Sequence, residues 1–294
     1  MATGFCRDCF TGRILEDAVL AGTEQTIHGL PTYVTGPGPG ASRGIVVILP
    51  DAFGYALNNT RALADAYARR VPCTVYVPDF MAGNALPAWT MTNMDFVPPP
   101  TAPLPSRLAQ RTWALAQVIP PLLRFAYTCR QSVARKRIAD FLRAVRTSAS
   151  PPPAVGVAGF CWGGFFAVEL THEGPANEMV DPAGGEGRIP LIDCAFTAHP
   201  SLLSIPRDAE RVSRPLSVAN GDDDEFMGRS KMEVLRGVME GKNAGAGEGR
   251  YEVVVYPGAK HGFAVRRDWD DEVQRGAKEG SEDQAVRFFA RFMG

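Results

Sequence analysis

The chain has 294 residues, 45% of them hydrophobic, and carries 31 Lys and Arg against 32 Asp and Glu, a net charge of −1. That length and apolar share suit a single domain over residues 1–294 with a sizeable core, and the near-neutral balance excludes the basic excess a nucleic-acid partner needs. No apolar run is long enough to cross a membrane, MATGFCRDCF at the start has no apolar signal core, and RFFARFMG at the end has no lipidation or retention signal, so the expected location is cytoplasmic.

Along the chain, Cys6-x-x-Cys9 has half of a zinc-site spacing. No second CxxC or HxxxH pair completes it, so no metal and no cofactor are expected, and the six cysteines (Cys6, Cys9, Cys73, Cys129, Cys161 and Cys194) are expected to be mostly reduced. Gly44 to Pro50 is a continuous β-branched run, the pattern of a strand covered on both faces. A helix is expected over Asn59 to Arg70, capped by Asn58 or Asn59, followed by a strand at Cys73 to Val77. Residues 81–106 are rich in Pro, Met and Ala and include Pro98-Pro99-Pro100. They read as an excursion from the core. With the helical stretch 107–147 they would make a cap or pocket wall, so 81–130 is treated as an insertion covering the active site.

Further strands are expected at Ala154–Ala158, Leu191–Ala198, Pro215–Ala219 and Tyr251–Tyr256. A helix begins at Trp162, and others cover Lys231–Met239 and Ser281–Phe292, the last opened by a capping box, Ser281-x-x-Gln284. Residues 174–190, rich in Gly and Pro, read as a surface loop. Strands alternating with helices imply an α/β fold with a mostly parallel, twisted sheet flanked by helices.

The chemistry concentrates where the third of these strands, Ala154–Ala158, meets its helix. Gly159-Phe160-Cys161-Trp162-Gly163-Gly164 has the form of a nucleophile elbow, a tight strand-to-helix turn that needs small residues two places either side of the nucleophile. The turn puts Cys161 at a helix N-terminus, whose partial positive charge favours thiolate, and aims the Trp162 N–H at a developing oxyanion. The structural alternative for Cys161 is a buried cysteine in a Gly-rich turn.

In this arrangement the acid and then the base follow the nucleophile along the chain. Asp224 stands after a strand in Gly221-Asp-Asp-Asp224, with Asp222 and Asp223 read as solvated turn residues. Of four histidines only His261 follows the acid, in the loop after the last strand. His28 and His172 follow no strand of the expected sheet. His199, at a strand end, is a pocket-lining candidate, with a satisfied structural histidine as the alternative. In the expected chemistry His261 takes the thiol proton, Asp224 orients the imidazole and Cys161 attacks a carbonyl.

With these residues in place, the sequence resembles the dienelactone hydrolase family, in particular its eukaryotic, fungal-type branch. The matching pieces are Gly159–Gly164, Leu49-Pro-Asp51-Ala-Phe-Gly54, Gly221–Asp224, Lys260-His261-Gly-Phe-Ala-Val-Arg266 and Cys6-x-x-Cys9-Phe-x-Gly12. The resemblance implies an eight-stranded α/β-hydrolase core, a Cys-His-Asp triad, the Ala52 N–H as second oxyanion donor and a thiolate-activating role for Asp51, which stands where bacterial relatives carry Glu. It also offers Arg266 as a ligand for a substrate carboxylate; Phe160 is a further substrate-contact candidate.

The expected activity is hydrolysis of a lactone or activated enol ester through an acyl-enzyme. Two alternatives remain: a lyase or isomerase acting on a polyketide-like intermediate of secondary metabolism, and a binding protein on the same fold. The expected partner is a small molecule, and the expected state a monomer or homodimer.

Overall fold

Strands with no polar face are stable only where helices cover both sides of their sheet. The computed structural model describes residues 8–38, 41–149, 151–174, 179–181, 187–247, 249–266 and 270–293. A 3-10 turn, Asp8–Phe10, precedes a hairpin of β1 (Thr23–Ile27) and β2 (Leu30–Thr35). There follow β3 (Ile45–Leu49), α1 (Asn58–Arg70), β4 (Thr74–Pro78), α2 (Trp89–Asp95), α3 (Leu104–Thr128), α4 (Gln131–Arg146), β5 (Val155–Phe160) and α5 (Trp162–Glu169). A short pair, β6 (Met179–Val180) and β7 (Ile189–Pro190), leads to β8 (Cys194–Ala198), α6 (Arg207–Glu210), β9 (Leu216–Gly221), α7 (Arg229–Ala246), β10 (Tyr251–Tyr256) and α8 (Glu272–Phe292).

The main sheet has eight strands in the order β1-β2-β4-β3-β5-β8-β9-β10. The β1–β2 and β2–β4 junctions are antiparallel; all others are parallel. Every residue of β3, β4, β5, β8 and β9 is buried, as their apolar runs require. Helices flank the sheet: α5 packs on β3, β5 and β8, and α8 on β8, β9 and α1. Because β3, β5, β8, β9 and β10 run parallel, their C-terminal ends lie along one edge, where an open α/β sheet binds its ligand.

Several local expectations change. Helix α8 begins at Glu272, with Asp271 as its cap: one carboxylate oxygen accepts from the Val273 and Gln274 N–H groups at 2.9 and 3.2 Å. Ser281 and Gln284 are therefore mid-helix. Ser281 donates back to the Lys278 carbonyl, and buried Gln284 reaches the sheet through Ser217 and the Val218 carbonyl. A Ser-x-x-Gln spacing fits both a cap and two helix positions facing the core.

Helix α1 has no side-chain cap. Asn59 is spent instead on the N-terminal segment, accepting from the Leu15 N–H at 3.0 Å and donating to the carbonyls of Arg13 and Val265 at 2.9 and 3.2 Å. The β1–β2 hairpin lacked an apolar signal because β1 is an exposed edge strand, Thr-Glu-Gln-Thr-Ile. Its turn, His28-Gly29, has φ of 47° and 83°, the paired positive values of a tight hairpin.

Within 81–130, α2 packs against α3 and against the 3-10 turn. Met81 is fully buried, so the segment enters from the core. The expected helical stretch 107–147 is two helices that meet at Cys129 and Arg130.

Candidate active site

The strand-to-helix turn after β5 brings Cys161 into a conformation that L-residues avoid, φ 50° and ψ −112°. It can do so because nothing projects from its neighbour two places on: a Cβ at Gly163 would overlap the Leu49 carbonyl at the end of β3. Ser201, in the loop after β8, completes the clamp. Its N–H donates to the Cys161 carbonyl at 3.0 Å, and its hydroxyl lies 3.3 Å from the sulfur.

The acid and base loops follow β9 and β10. One Asp224 oxygen accepts from the backbone N–H groups of Phe226 and Met227, at 2.8 and 3.1 Å. The other lies 2.8 Å from His261 Nδ1, and since a carboxylate only accepts, Nδ1 carries the proton and donates. Asp222, read from sequence as a solvated turn residue, instead ties the two loops together. It accepts from the Gly258 N–H at 2.6 Å and from Arg229 at 2.7 Å, which hold its carboxyl below the usual range. The loops touch at Gly221, where a Cβ would overlap the Ala259 carbonyl oxygen.

His261 Nε2 is buried and has no hydrogen-bond partner among the described residues. A ring nitrogen of His261, the Cys161 sulfur and the Cys9 sulfur all lie within 4.8 Å of one another. The Cys161 thiol is held well below the usual thiol range. The hydrogen bond from Cys9 is the largest cause, burial opposes it, and the charge of His261 adds to the lowering. Burial works against a charged His261, but Cys161 and Asp224 outweigh it and hold the imidazole pKa well above its usual value. Each shift favours the charged form of its group, the thiol being lowered and the imidazole raised.

Cys161 is only 1% exposed. The N-terminal 3-10 turn brings Cys9 against it. A neighbouring cleft of about 600 Å³, lined by Asp8, Thr11, Lys260, His261 and Arg266 among others, reaches the imidazole without Cys161 in its wall.

The remaining sequence candidates divide between the two sides of this turn. Ala52 follows β3, whose end meets Gly163, and Trp162 opens α5 directly after Cys161; the Trp162 ring packs on Phe125 of α3 at 6.0 Å. Asp51 and Arg266 form a fully buried ion pair with each other, Asp51 also accepting from the Phe53 N–H at 3.0 Å. Burial pushes the Asp51 carboxyl up, and Arg266 opposes that. The same guanidinium donates to the Cys9 carbonyl at 2.9 Å and to the Thr11 carbonyl at 3.4 Å. His199 is fully buried behind His261, rings 5.0 Å apart, with neither nitrogen partnered among the described residues; burial keeps it neutral. Phe160 is equally buried, packed on Phe196 and His199.

Sequence reasoning missed Cys9 and Ser201 as neighbours of the sulfur. The only sequence signal for Cys9 was its place in the Cys6-x-x-Cys9 piece; Cys6 lies outside the described residues.

Across residues 30–293 the sequence matches the dienelactone hydrolase family. The chain belongs to that family. Dienelactone hydrolases are ester and lactone hydrolases acting on small molecules, and that is the class of this enzyme. It is similar to "Hydrolase pyvD" of Aspergillus violaceofuscus, 24% identical over 97% of this chain and 96% of that one. It is also similar to a carboxymethylenebutenolidase homolog of Mus musculus, 29% identical over 89% and 86% of the two chains. Among solved structures, a dienelactone hydrolase from Anabaena variabilis shares the fold with a TM-score of 0.51 at 14% identity, covering 92% of this chain and 98% of its own. No helix among the described residues is long and apolar enough to cross a membrane.

Proposed function

We propose that this family member hydrolyses a lactone or an activated enol ester through an acyl-enzyme on Cys161. The observation that carries the reading is the Asp224–His261 hydrogen bond of 2.8 Å, which leaves Nε2 without a partner and close to a sulfur at the mouth of a strained strand-to-helix turn.

In this mechanism the Cys161 thiolate attacks the carbonyl carbon, and the N–H groups of Trp162 and Ala52 receive the oxyanion. His261, protonated at Nε2, gives its proton to the departing enolate or alkoxide. The neutral imidazole then takes a proton from water, which attacks the thioester and releases the acid. Asp224 fixes the tautomer and stabilises the imidazolium. A thiolate favours substrates with good leaving groups, because its thioester forms readily only when the departing group is stabilised.

Asp51 and Arg266 serve the site as one unit. Their pairing holds the loop after β3 and, through the Cys9 and Thr11 carbonyls, the N-terminal segment over the sulfur. Substrate entry requires that segment to move, which would also free Arg266 to meet a substrate carboxylate. Residues 81–130 form a wall of the same single domain, with Phe125 against Trp162 and α2 against the 3-10 turn. His199 and Phe160 act from behind the imidazole, keeping it in an apolar setting. Unbridged thiols suit a reducing, cytoplasmic compartment.

The test is intact-mass spectrometry during turnover of a slowly deacylated activated ester, with a lactone panel assayed alongside. An acyl adduct on the wild-type chain, absent in Cys161→Ala together with a loss of at least about 10³-fold in kcat, is expected. Product formation with no adduct at any time would replace the acyl-enzyme with proton transfer by His261, the chemistry of a lyase or isomerase.

A further inference from the structure

Cys9 comes from a turn far from the elbow in sequence, yet its sulfur stands with the Cys161 sulfur and an imidazole nitrogen of His261 in one buried cluster. We propose that these three side chains form a binding site for a thiophilic divalent cation of the Zn2+ class, and that an ion bound there blocks the nucleophile. The blocking rests on the reading of Cys161 as nucleophile; the binding does not.

The geometry fits such an ion. For three atoms no more than 4.8 Å apart, some point lies within about 2.8 Å of all of them, so sulfur bonds of about 2.3 Å and a nitrogen bond of about 2.0 Å need only a small closing movement. The donor set, two thiolates and an imidazole, is the soft set that selects zinc and its heavier relatives over magnesium or calcium. A three-ligand Cys2His arrangement leaves a fourth tetrahedral position for water.

His261 is already prepared as a ligand. Nδ1 is committed to Asp224, so the nitrogen offered to the cluster is Nε2, buried and without a partner among the described residues. A carboxylate holding the far nitrogen of a ligating imidazole is the usual support of a zinc-bound histidine. Without Cys9, the elbow would offer a cation only two donors. The N-terminal turn, held down by Arg266 through the Cys9 carbonyl, supplies the third.

Proton balance follows from the resting pair. The Cys161–His261 pair shares one proton between sulfur and Nε2, so an ion gains two sulfur bonds and one nitrogen bond as that proton and the Cys9 thiol proton leave. Two protons leave per ion, nothing is oxidised or reduced, and affinity rises with pH.

The experiment titrates the reduced, full-length protein with Cd2+, whose bonds to thiolate give an ultraviolet charge-transfer band, and then displaces it with Zn2+. One equivalent with that band, two protons released in weakly buffered solution, and protection of Cys161 from iodoacetamide until a chelator is added are the expected results. Cys9→Ser and Cys161→Ala should each weaken binding by more than about 100-fold, beyond the loss of an outer-shell partner. Cys129→Ser should leave it unchanged. Cys9→Ala, checked by circular dichroism, guards against a folding artefact in the serine variant. Equal Cd2+ affinity in wild type and both Cys9 variants would overturn the site, as would binding without the thiolate band. If Cys161→Ala still hydrolyses esters but loses Cd2+, the metal site stands and the acyl-enzyme reading falls.

Discussion

Two segments close over the upper edge of the sheet near Cys161, and they are held in opposite ways. The N-terminal segment is short and tied by polar groups: Arg266 to the Cys9 and Thr11 carbonyls, Asn59 to Leu15 and Arg13, and Asp65 to the Ala21 N–H. Helix α3 is long and holds on through apolar contacts such as Phe125 on Trp162, while Leu104, Leu108, Trp113, Ile119, Leu123 and Tyr127 face water. Fixed polar partners specify one position and are expensive to lose when buried. Apolar packing tolerates sliding and repacking. The first segment is therefore the one that fixes chemistry at the sulfur, and the second the one that shapes the wall.

The largest expected effect comes from cutting the polar tie. Arg266→Met leaves the Asp51 carboxylate buried without its partner and should cost about 3–5 kcal/mol of stability, read as a lower urea midpoint. An unchanged midpoint would mean that the segment is not held through this pair. Asn59→Ala removes the next tie and should cost about 1–3 kcal/mol in the same measurement.

In the proposed mechanism the thiolate is the attacking form, and the folded thiol pKa is depressed, so kcat/KM is expected to be full above that pKa and to fall as pH drops through it. The acid limb should therefore lie well below the ordinary thiol range. Cys9→Ala removes the leading cause of the depression and should move that limb to higher pH; a limb that stays put would separate the N-terminal segment from the chemistry. The smallest effect is expected on α3. Replacing exposed Leu108 or Leu123 with Gln should change stability by no more than about 0.5 kcal/mol. A larger loss would show that this row is covered in solution and that the contrast between the two segments is false.

What was legible in the sequence follows the same division. The elbow, the acid loop and the histidine loop are each set by residues a few places apart, with strands whose burial removes ambiguity about their type. Their chain order then left one histidine to serve. The contacts of Cys9 with Cys161, of Arg266 with Asp51 and of Ser201 with the sulfur join residues far apart in the chain or in separate loops, where no period or spacing carries a signal. Ser281-x-x-Gln284 shows the opposite failure: a local pattern fits two roles, and packing on Ser217 decides for the helix interior. Asn59 likewise fits a cap by type but is drawn into tertiary hydrogen bonds.

The contact at Gly221 has a consequence for reading other chains. Since even one methyl group there would strike the Ala259 carbonyl, the loops that bring the carboxylate and the imidazole together pack as closely as they do because that position is bare. In a related sequence that keeps the aspartate and the histidine, a side chain at this position should lengthen the carboxylate–imidazole hydrogen bond. Alanine at this site would push the two loops apart while leaving Asp224 and His261 in the chain.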